Sequence, residues 1–139
     1  MKKFYLFVLL VALLLSMCAC TTVPVKGSAI IDSEGVVKIT ISHLPEWTAM
    51  QRVYTDPEKI SKITTYIDNL ALTKVVNPEA LMGGVWIITY TYADGTQLVI
   101  SHEGHTYLHI IDGASSYVYD MVYEEAEAFY NLIYNIPSD

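Results

Sequence analysis

The sequence predicts an α+β domain, an antiparallel β-meander sheet with two amphipathic helices packed on one of its faces. Three observations predict it. Four β-type runs fill residues 85–119, and Asp-Gly or Glu-Gly pairs separate them at residues 94–95, 103–104 and 112–113. Apolar stripes with helical spacing lie before and after this region. Strands joined by such short turns pair antiparallel, and a sheet of this kind commonly buries one face under helices.

Residues 1–19 are predicted to be an export signal. Two lysines precede an apolar run, Phe4 to Met17, which has the length of a signal-peptide core and falls short of the roughly 20 residues that span a bilayer. Ala19 and Cys20 then match the end of a bacterial lipobox, in which the cysteine is acylated, for instance with palmitate. The alternative is an ordinary secretory signal that contains cysteines. We favour lipidation of Cys20 because the mature chain has no second cysteine to pair with it.

Removal of the signal leaves a strongly acidic chain. Without Lys2 and Lys3, six basic residues face 15 acidic ones, which is a net charge of −9. This charge argues against binding nucleic acid and against binding anionic lipid headgroups by charge. The remaining length suffices for one domain with one core, predicted over residues 36–139. No cofactor is predicted.

The first part of the mature chain is predicted to hold a tether and two strands. Residues 20–35 are mostly small, polar or turn-forming, and we expect a flexible tether. Residues 36–41 alternate and predict a strand with Val37, Ile39 and Ile41 on one side. A loop and a second short strand, residues 50–54, follow.

The first helix has a start signal and a buried stripe. Asp56 is expected to cap the helix and Pro57 to occupy its first turn, where a missing N–H is tolerated. Lys62 falls on the opposite side from the apolar stripe. The helix is expected to end near residues 70–72, before a brief strand at residues 73–76. The stripe consists of Ile60, Ile63, Ile67 and Leu70, with Tyr66 beside it.

The meander sorts into two faces if every turn has two residues. That register pairs Tyr90 with Val99, Val99 with Leu108 and Leu108 with Tyr117. We expect the helices on the face with the bulkier set, although alternation alone does not decide, because neither face is polar. A one-residue error in any turn would exchange the sets. The uncovered face would then carry Ile87, Leu98, Ile100, Tyr107 and His109.

The last element is predicted to be a second amphipathic helix. Asp120 is the expected cap, and two glutamates in the first turn favour the helix dipole. The apolar stripe consists of Val122, Ala126, Phe129, Tyr130 and Ile133.

One hairpin tip carries possible metal ligands. His102 and His105 flank the Glu103-Gly104 turn. Together with Glu103 they could bind one metal ion such as zinc at this hairpin tip. His109 lies about 13 Å further along the strand, too far to share that ion. The favoured interpretation is a solvated polar turn.

No catalytic motif stands out. The chain lacks HExxH, a CxxC pair, GxSxG, SxxK and a glycine-rich phosphate loop, and the glutamates of the last helix fall on its solvated side. An enzyme is therefore the less expected outcome.

The Cys-Ala-Cys ending, the DPEKISKITTYIDNL segment and the YTYADGTQL segment together resemble small exported lipoproteins of Gram-positive bacteria with domains of unknown function. The resemblance implies a location and a fold, and no activity. We expect a lipid-anchored module on the extracytoplasmic face of the cell membrane that binds or senses a protein, peptide or envelope component through the uncovered sheet face. The alternative is a metal-handling protein or enzyme that uses the His102–His105 hairpin.

Overall fold

The computed structural model describes residues 23–44, 51–78, 84–104 and 106–139. The predicted signal peptide, Cys20 and His105 lie outside these ranges. The described residues form one eight-stranded antiparallel sheet and two α-helices, which confirms the predicted α+β class. The strands are β1 Val25–Lys26, β2 Val36–Leu44, β3 Gln51–Tyr54, β4 Ala71–Lys74, β5 Val85–Tyr92, β6 Gln97–Glu103, β7 Tyr107–Asp112 and β8 Ser115–Met121, and the helices are α1 Pro57–Asn69 and α2 Tyr123–Asn135.

The meander β5–β8 forms the middle of the sheet. The strand order is β1-β4-β8-β7-β6-β5-β2-β3, and every neighbouring pair is antiparallel. The β2–β3 hairpin extends the meander beside β5, and β4 and β1 extend it beside β8. In the described ranges, no helix combines the length and hydrophobicity that crossing a membrane requires.

Helix α1 forms as its local sequence predicts. The Asp56 carboxylate accepts hydrogen bonds from the backbone N–H groups of Glu58 and Lys59 at 2.8 and 3.2 Å, which caps the helix. Lys62 is exposed. Tyr66 donates a hydrogen bond of 2.5 Å to the backbone carbonyl of Glu125, which ties α1 to α2. The whole predicted stripe is buried, with Ile60, Ile63, Ile67 and Leu70 at most 7% exposed.

Helix α2 begins later than predicted. Asp120 belongs to β8, where it pairs with Tyr107 and with Thr73, so it does not cap the helix. The N-cap is Val122, which is 52% exposed and provides no side-chain hydrogen bond. Pairing with both neighbours keeps β8 extended to its end and overrides the local cap signal. Of the remaining stripe, Ala126 and Phe129 are each 1% exposed and Tyr130 is half-buried, while the side chain of Ile133 is outside those that the structure describes.

The turns on both sides of β6 contain an odd number of residues. Strand β5 closes on β6 across residues 92–96, and β6 closes on β7 across residues 104–106. The sequence analysis assumed two residues in each turn. Each odd turn exchanges the faces of the strand that follows, and the two exchanges cancel. Strands β7 and β8 therefore keep their predicted faces, and β6 alone is turned over.

This reversal moves two residues of the predicted surface patch into the core. Leu98 and Ile100 are 7% and 0% exposed and point toward the helices, so their placement on the uncovered face is wrong. Val99 points away from the helices, where the prediction had put it beneath them. In β2, a bulge between Val36 and Lys38 similarly leaves Val37 48% exposed, while Ile39 and Ile41 are buried as predicted.

Residues 23–35, predicted as part of a flexible tether, are packed on the domain. Strand β1 pairs with β4, and Ile31 is 1% exposed within the core. The Gly27 N–H donates to the Leu70 carbonyl at 2.9 Å, and a Cβ on Gly27 would lie only 2.0 Å from the Ile67 carbonyl oxygen. This backbone can approach the end of α1 so closely only because residue 27 is glycine. The folded domain therefore begins well before the predicted residue 36.

The last residues hold the outer edge of the sheet. The Asp139 N–H donates to the Val53 carbonyl in edge strand β3. The Asp139 carboxylate accepts from the N–H groups of Thr55 and Asp56, at 2.5 and 2.8 Å, and from Lys59 Nζ at 2.5 Å. These contacts lower the pKa of Asp139, with the Lys59 ammonium as the largest cause.

Candidate functional site

Both helices and the N-terminal segment pack on the same side of the sheet. Phe129 of α2 and Ile63 of α1 join one core cluster with Ile39, Ile88 and Ile100 of the strands. We call the opposite side the open face, because no described helix covers it. Its central residues, carried by β5 to β8, are Ile87, Thr89, Thr91, Val99, Ser101, Glu103, Tyr107, His109, Ile111, Ser116, Val118 and Asp120.

The open face mixes aliphatic and hydroxyl side chains. Ile87, Val99 and Val118 are half-buried, and Ile111 is 36% exposed. Of the residues predicted for this patch, Ile87, Tyr107 and His109 lie here. The face is therefore neither a second core nor an ordinary polar surface, and it presents apolar groups to solvent across several strands.

Three polar side chains meet on this face in an arrangement that the sequence analysis did not predict. His109 lies on β7 between Glu103 of β6 and Ser116 of β8. Its Nδ1 lies 3.4 Å from Glu103 Oε1, and its Nε2 is hydrogen-bonded to Ser116 Oγ at 2.5 Å. The His109 and Glu103 side chains are 30% and 34% exposed, so solvent reaches the group. We call these residues the Glu103–His109–Ser116 chain.

The protonation pattern of this chain follows from its hydrogen bonds. A carboxylate only accepts, so a proton on Nδ1 of a neutral His109 points to Glu103. Nε2 is then the acceptor for the Ser116 hydroxyl. A hydroxyl, an imidazole base and a carboxylate in that order are the parts with which a serine is activated as a nucleophile.

Two further polar atoms on the open face are buried without hydrogen-bond partners in the described structure. They are Thr91 Oγ1 and Asp120 Oδ1. A buried polar atom without a hydrogen-bond partner destabilises a protein by about 1–3 kcal/mol. Asp120 lies beside Tyr107 in the register, close to the three-residue chain.

The structure does not gather the predicted metal ligands. His102 and Glu103 are consecutive in β6 and point to opposite faces. His102 is 0% exposed, with its ring 5.2 Å from that of Phe129 and 5.4 Å from that of Tyr130. His105 lies outside the described residues. Among the residues that are described, no three His, Cys, Asp or Glu side chains are close enough to hold an ion. The pairing of His102 with Glu103 at one ion is therefore wrong, because alternate residues of a strand face opposite sides.

A cavity away from the open face shows no convergent chemistry. It has a volume of about 530 Å³ and lies between the N-terminal segment and the β5–β6 turn. Asp94 at its wall accepts hydrogen bonds from the Thr96 N–H and hydroxyl, which lower its pKa. Tyr92 donates to the backbone carbonyl of Asp32 at 2.5 Å, and partial burial raises the Tyr92 pKa. These groups serve the turn and the N-terminal segment.

Comparison with protein families, with curated proteins and with solved structures finds no match to this chain. The open face must therefore be interpreted from its own geometry.

Proposed function

We propose that this protein is a lipid-anchored module of the extracytoplasmic membrane face, which binds a protein partner through the open face. The signal sequence and Cys20 support the anchor. The observation that carries the binding proposal is the partly exposed aliphatic centre of the open face, which no described helix covers and in which Ile111 is 36% exposed. Such a surface is unfavourable in water and becomes favourable when a partner covers it.

The chemistry of the face favours a partner with basic side chains around an apolar centre. Glu103 and Asp120 border the aliphatic residues, and Asp120 offers an acceptor. The net charge of −9 after removal of the signal makes two copies of this chain repel each other. Lysine or arginine on a partner would match the charge of the Glu103 and Asp120 carboxylates.

The anchor is tested by cell fractionation of wild type and Cys20→Ala. Wild type should sediment with membranes, and the variant should be released into the medium. Equal release of both proteins would show that Cys20 carries no lipid.

The open face is tested by photo-crosslinking in intact cells. A benzophenone amino acid at Val99 or Tyr107 should crosslink to one protein species, and the same group at the exposed Thr65 of α1 should not. Mass spectrometry should place the crosslink in a segment with lysine or arginine beside apolar residues.

A matched pair of charges tests the predicted partner chemistry. Val99→Lys should reduce crosslinking at Tyr107 more than Val99→Glu, because only the lysine repels a basic partner. Circular dichroism checks that both variants fold. Crosslinks equal to those at Thr65, or equal loss in both variants, would contradict the proposal.

A second candidate function is acyl transfer, and the Glu103–His109–Ser116 chain favours it. In this reaction Ser116 Oγ would attack an ester carbonyl while His109 Nε2 takes the hydroxyl proton, and that proton would then pass to the departing alcohol. Water would release the acyl group from Ser116, with His109 again as base. Glu103 would orient the imidazole.

A fluorophosphonate probe tests this second function. Wild type should form a covalent adduct at Ser116, whereas Ser116→Ala should not react, and His109→Ala should react at least about tenfold more slowly. Ser115→Ala is the control, because Ser115 is an exposed neighbour that does not contact His109. Labelling that persists in Ser116→Ala, or no labelling of wild type, would exclude a nucleophilic Ser116.

A further inference from the structure

A second apolar surface lies on the helix side, at the edge of the sheet formed by β1, β4 and β8. Val23 is 77% exposed, and Val25 and Tyr117 are each 41% exposed. The surface includes a shallow groove of about 410 Å³. The described residues that line this groove are Val23, Val25, Ala29, Ile30, Lys74 and Tyr119.

Strand pairing positions Val25, Lys74 and Tyr119 of this surface. Val25 pairs with Leu72 across β1 and β4, and Lys74 pairs with Tyr119 across β4 and β8. Lys74 Nζ lies 4.9 Å from the centre of the Tyr117 ring, a cation–π distance. The surface is thus a fixed feature of the domain.

The distance to the proposed anchor is short. Three peptide links separate Cys20 from Val23, and a fully extended chain spans at most about 3.3–3.6 Å per residue, so that the two lie within roughly 11 Å. A flexible tether of sixteen residues would have left the orientation of the domain free. Because residues 23–35 are packed on the domain, an acyl chain on Cys20 keeps this edge at the bilayer surface.

The composition of the edge suits that position. Valine side chains enter the boundary between headgroups and acyl chains, and tyrosine is enriched there because its ring is amphipathic. Lys74 is the only charged residue among the described residues that line the groove, whereas Lys26, which follows Val25 in β1, faces the other side of the sheet. One of the six basic residues of a chain with net charge −9, Lys74, therefore lies beside the apolar side chains of this surface.

We infer that the β1–β4–β8 edge is a membrane-contact surface, on which Val23, Val25 and Tyr117 rest in the headgroup region of the bilayer. The inference rests on the proposed lipidation of Cys20. Since these residues belong to the helix side of the sheet, this orientation leaves the open face uncovered by lipid. The anchored domain then presents its binding surface to partners in the envelope.

The test uses the full lipidated chain in vesicles of phosphatidylcholine and phosphatidylglycerol at about 3:1, which carry the negative surface charge of a cytoplasmic-membrane-like bilayer. Processing removes Cys18 and acylation occupies Cys20, so an introduced cysteine is the one free thiol. Val25→Cys and Tyr117→Cys are labelled with an environment-sensitive fluorophore. Thr89→Cys on the open face and Thr65→Cys on α1 are the controls. Nitroxide lipids in the bilayer quench a label that contacts them.

We expect quenching at residues 25 and 117 that exceeds quenching at both controls by at least about twofold. Thermal melting confirms that each labelled protein folds. Flotation of the vesicles separates the two possible failures. A protein that floats with the vesicles but is quenched equally at all four positions overturns the contact surface and leaves the anchor intact. A protein that does not float overturns both the anchor and the surface.

Discussion

The two faces of the sheet are formed by alternate residues of the same strands, and they differ in the types of side chain that they carry. On the helix side, β5 to β8 present almost only aliphatic and aromatic side chains, and Ile88 and Ile100 are 0% exposed. On the open face, aliphatic residues such as Ile87 and Val99 alternate with threonine and serine and stay half-buried. Both faces carry aliphatic residues, so the presence of such residues does not by itself identify the buried face. The hydroxyl side chains mark the face that no described helix covers.

Two histidines show the same difference between the faces. His102 and His109 lie on neighbouring strands and face opposite sides. His102 is 0% exposed and packs among the rings of Phe129 and Tyr130, whereas His109 is partly exposed between Glu103 and Ser116. Burial among rings gives His102 a place in the core, and a carboxylate and a hydroxyl within contact distance give His109 the means to move a proton. The face on which a side chain lies decides its chemistry here.

The largest effect that tests this comparison is expected within β6. Ile100→Ala removes a fully buried side chain and should lower the free energy of unfolding by about 2–5 kcal/mol. Val99→Ala, one residue away on the open face, should lower it by less than about 1 kcal/mol. Urea titration of both variants measures the difference. A larger loss for Val99→Ala would mean that β6 presents the opposite face to the helices.

Helix α1 allows a second comparison of similar size. Ile67→Ala should lower the free energy of unfolding by about 2–5 kcal/mol, because Ile67 is 1% exposed in the core. Lys62→Ala on the exposed side should change it by less than about 0.5 kcal/mol. Denaturant midpoints report both values. Equal and small losses would contradict the packing of α1 on the sheet.

A smaller effect is expected where the N-terminal segment meets α1. Gly27→Ala places a Cβ 2.0 Å from the Ile67 carbonyl oxygen, so the backbone must move. We expect the free energy of unfolding to fall by about 1–3 kcal/mol. Backbone hydrogen exchange should become faster in β1 and β4, the strands next to this contact. Ser28→Ala, at an exposed neighbour, is the control. Hydrogen-exchange rates in Gly27→Ala equal to those of wild type would show that the packing of residues 23–35 does not depend on this contact.

The smallest effect is expected from pH at the C-terminal contact. The folded pKa of Asp139 lies below its ordinary value of 3.8, because Lys59 and the N–H groups of Thr55 and Asp56 favour the carboxylate. Its stabilisation is therefore fully present above that ordinary value and is lost as the pH falls toward the depressed folded pKa. Asp139→Asn should lower the melting temperature at pH 7, and the difference from wild type should shrink at pH 3. A difference that does not change with pH would exclude a role for the Asp139 charge.

Prediction from the sequence succeeded where the deciding interactions are local. The Asp56 cap and the α1 stripe depend on residues within a few positions of one another, and both are found. The three meander turns lie close to the predicted Asp-Gly and Glu-Gly pairs, but the predicted pairing is wrong, since Leu108 pairs with Tyr119 and not with Tyr117. Asp120 failed as a cap because strand pairing with Thr73 and Tyr107, far away in sequence, extends β8 through it.

The sequence by itself determined that four meander strands lie between two helices, and which side of α1 is buried. Only the tertiary structure decided which face β6 presents to the helices. One residue more or less in a turn moves every side chain of the next strand to the other face, and the residue types of a turn do not fix its length. The same long-range register brings Glu103, His109 and Ser116 together from three strands. It also fixes residues 23–35 on the domain, since a close approach such as Gly27 against α1 exists only between segments that the fold has already brought together.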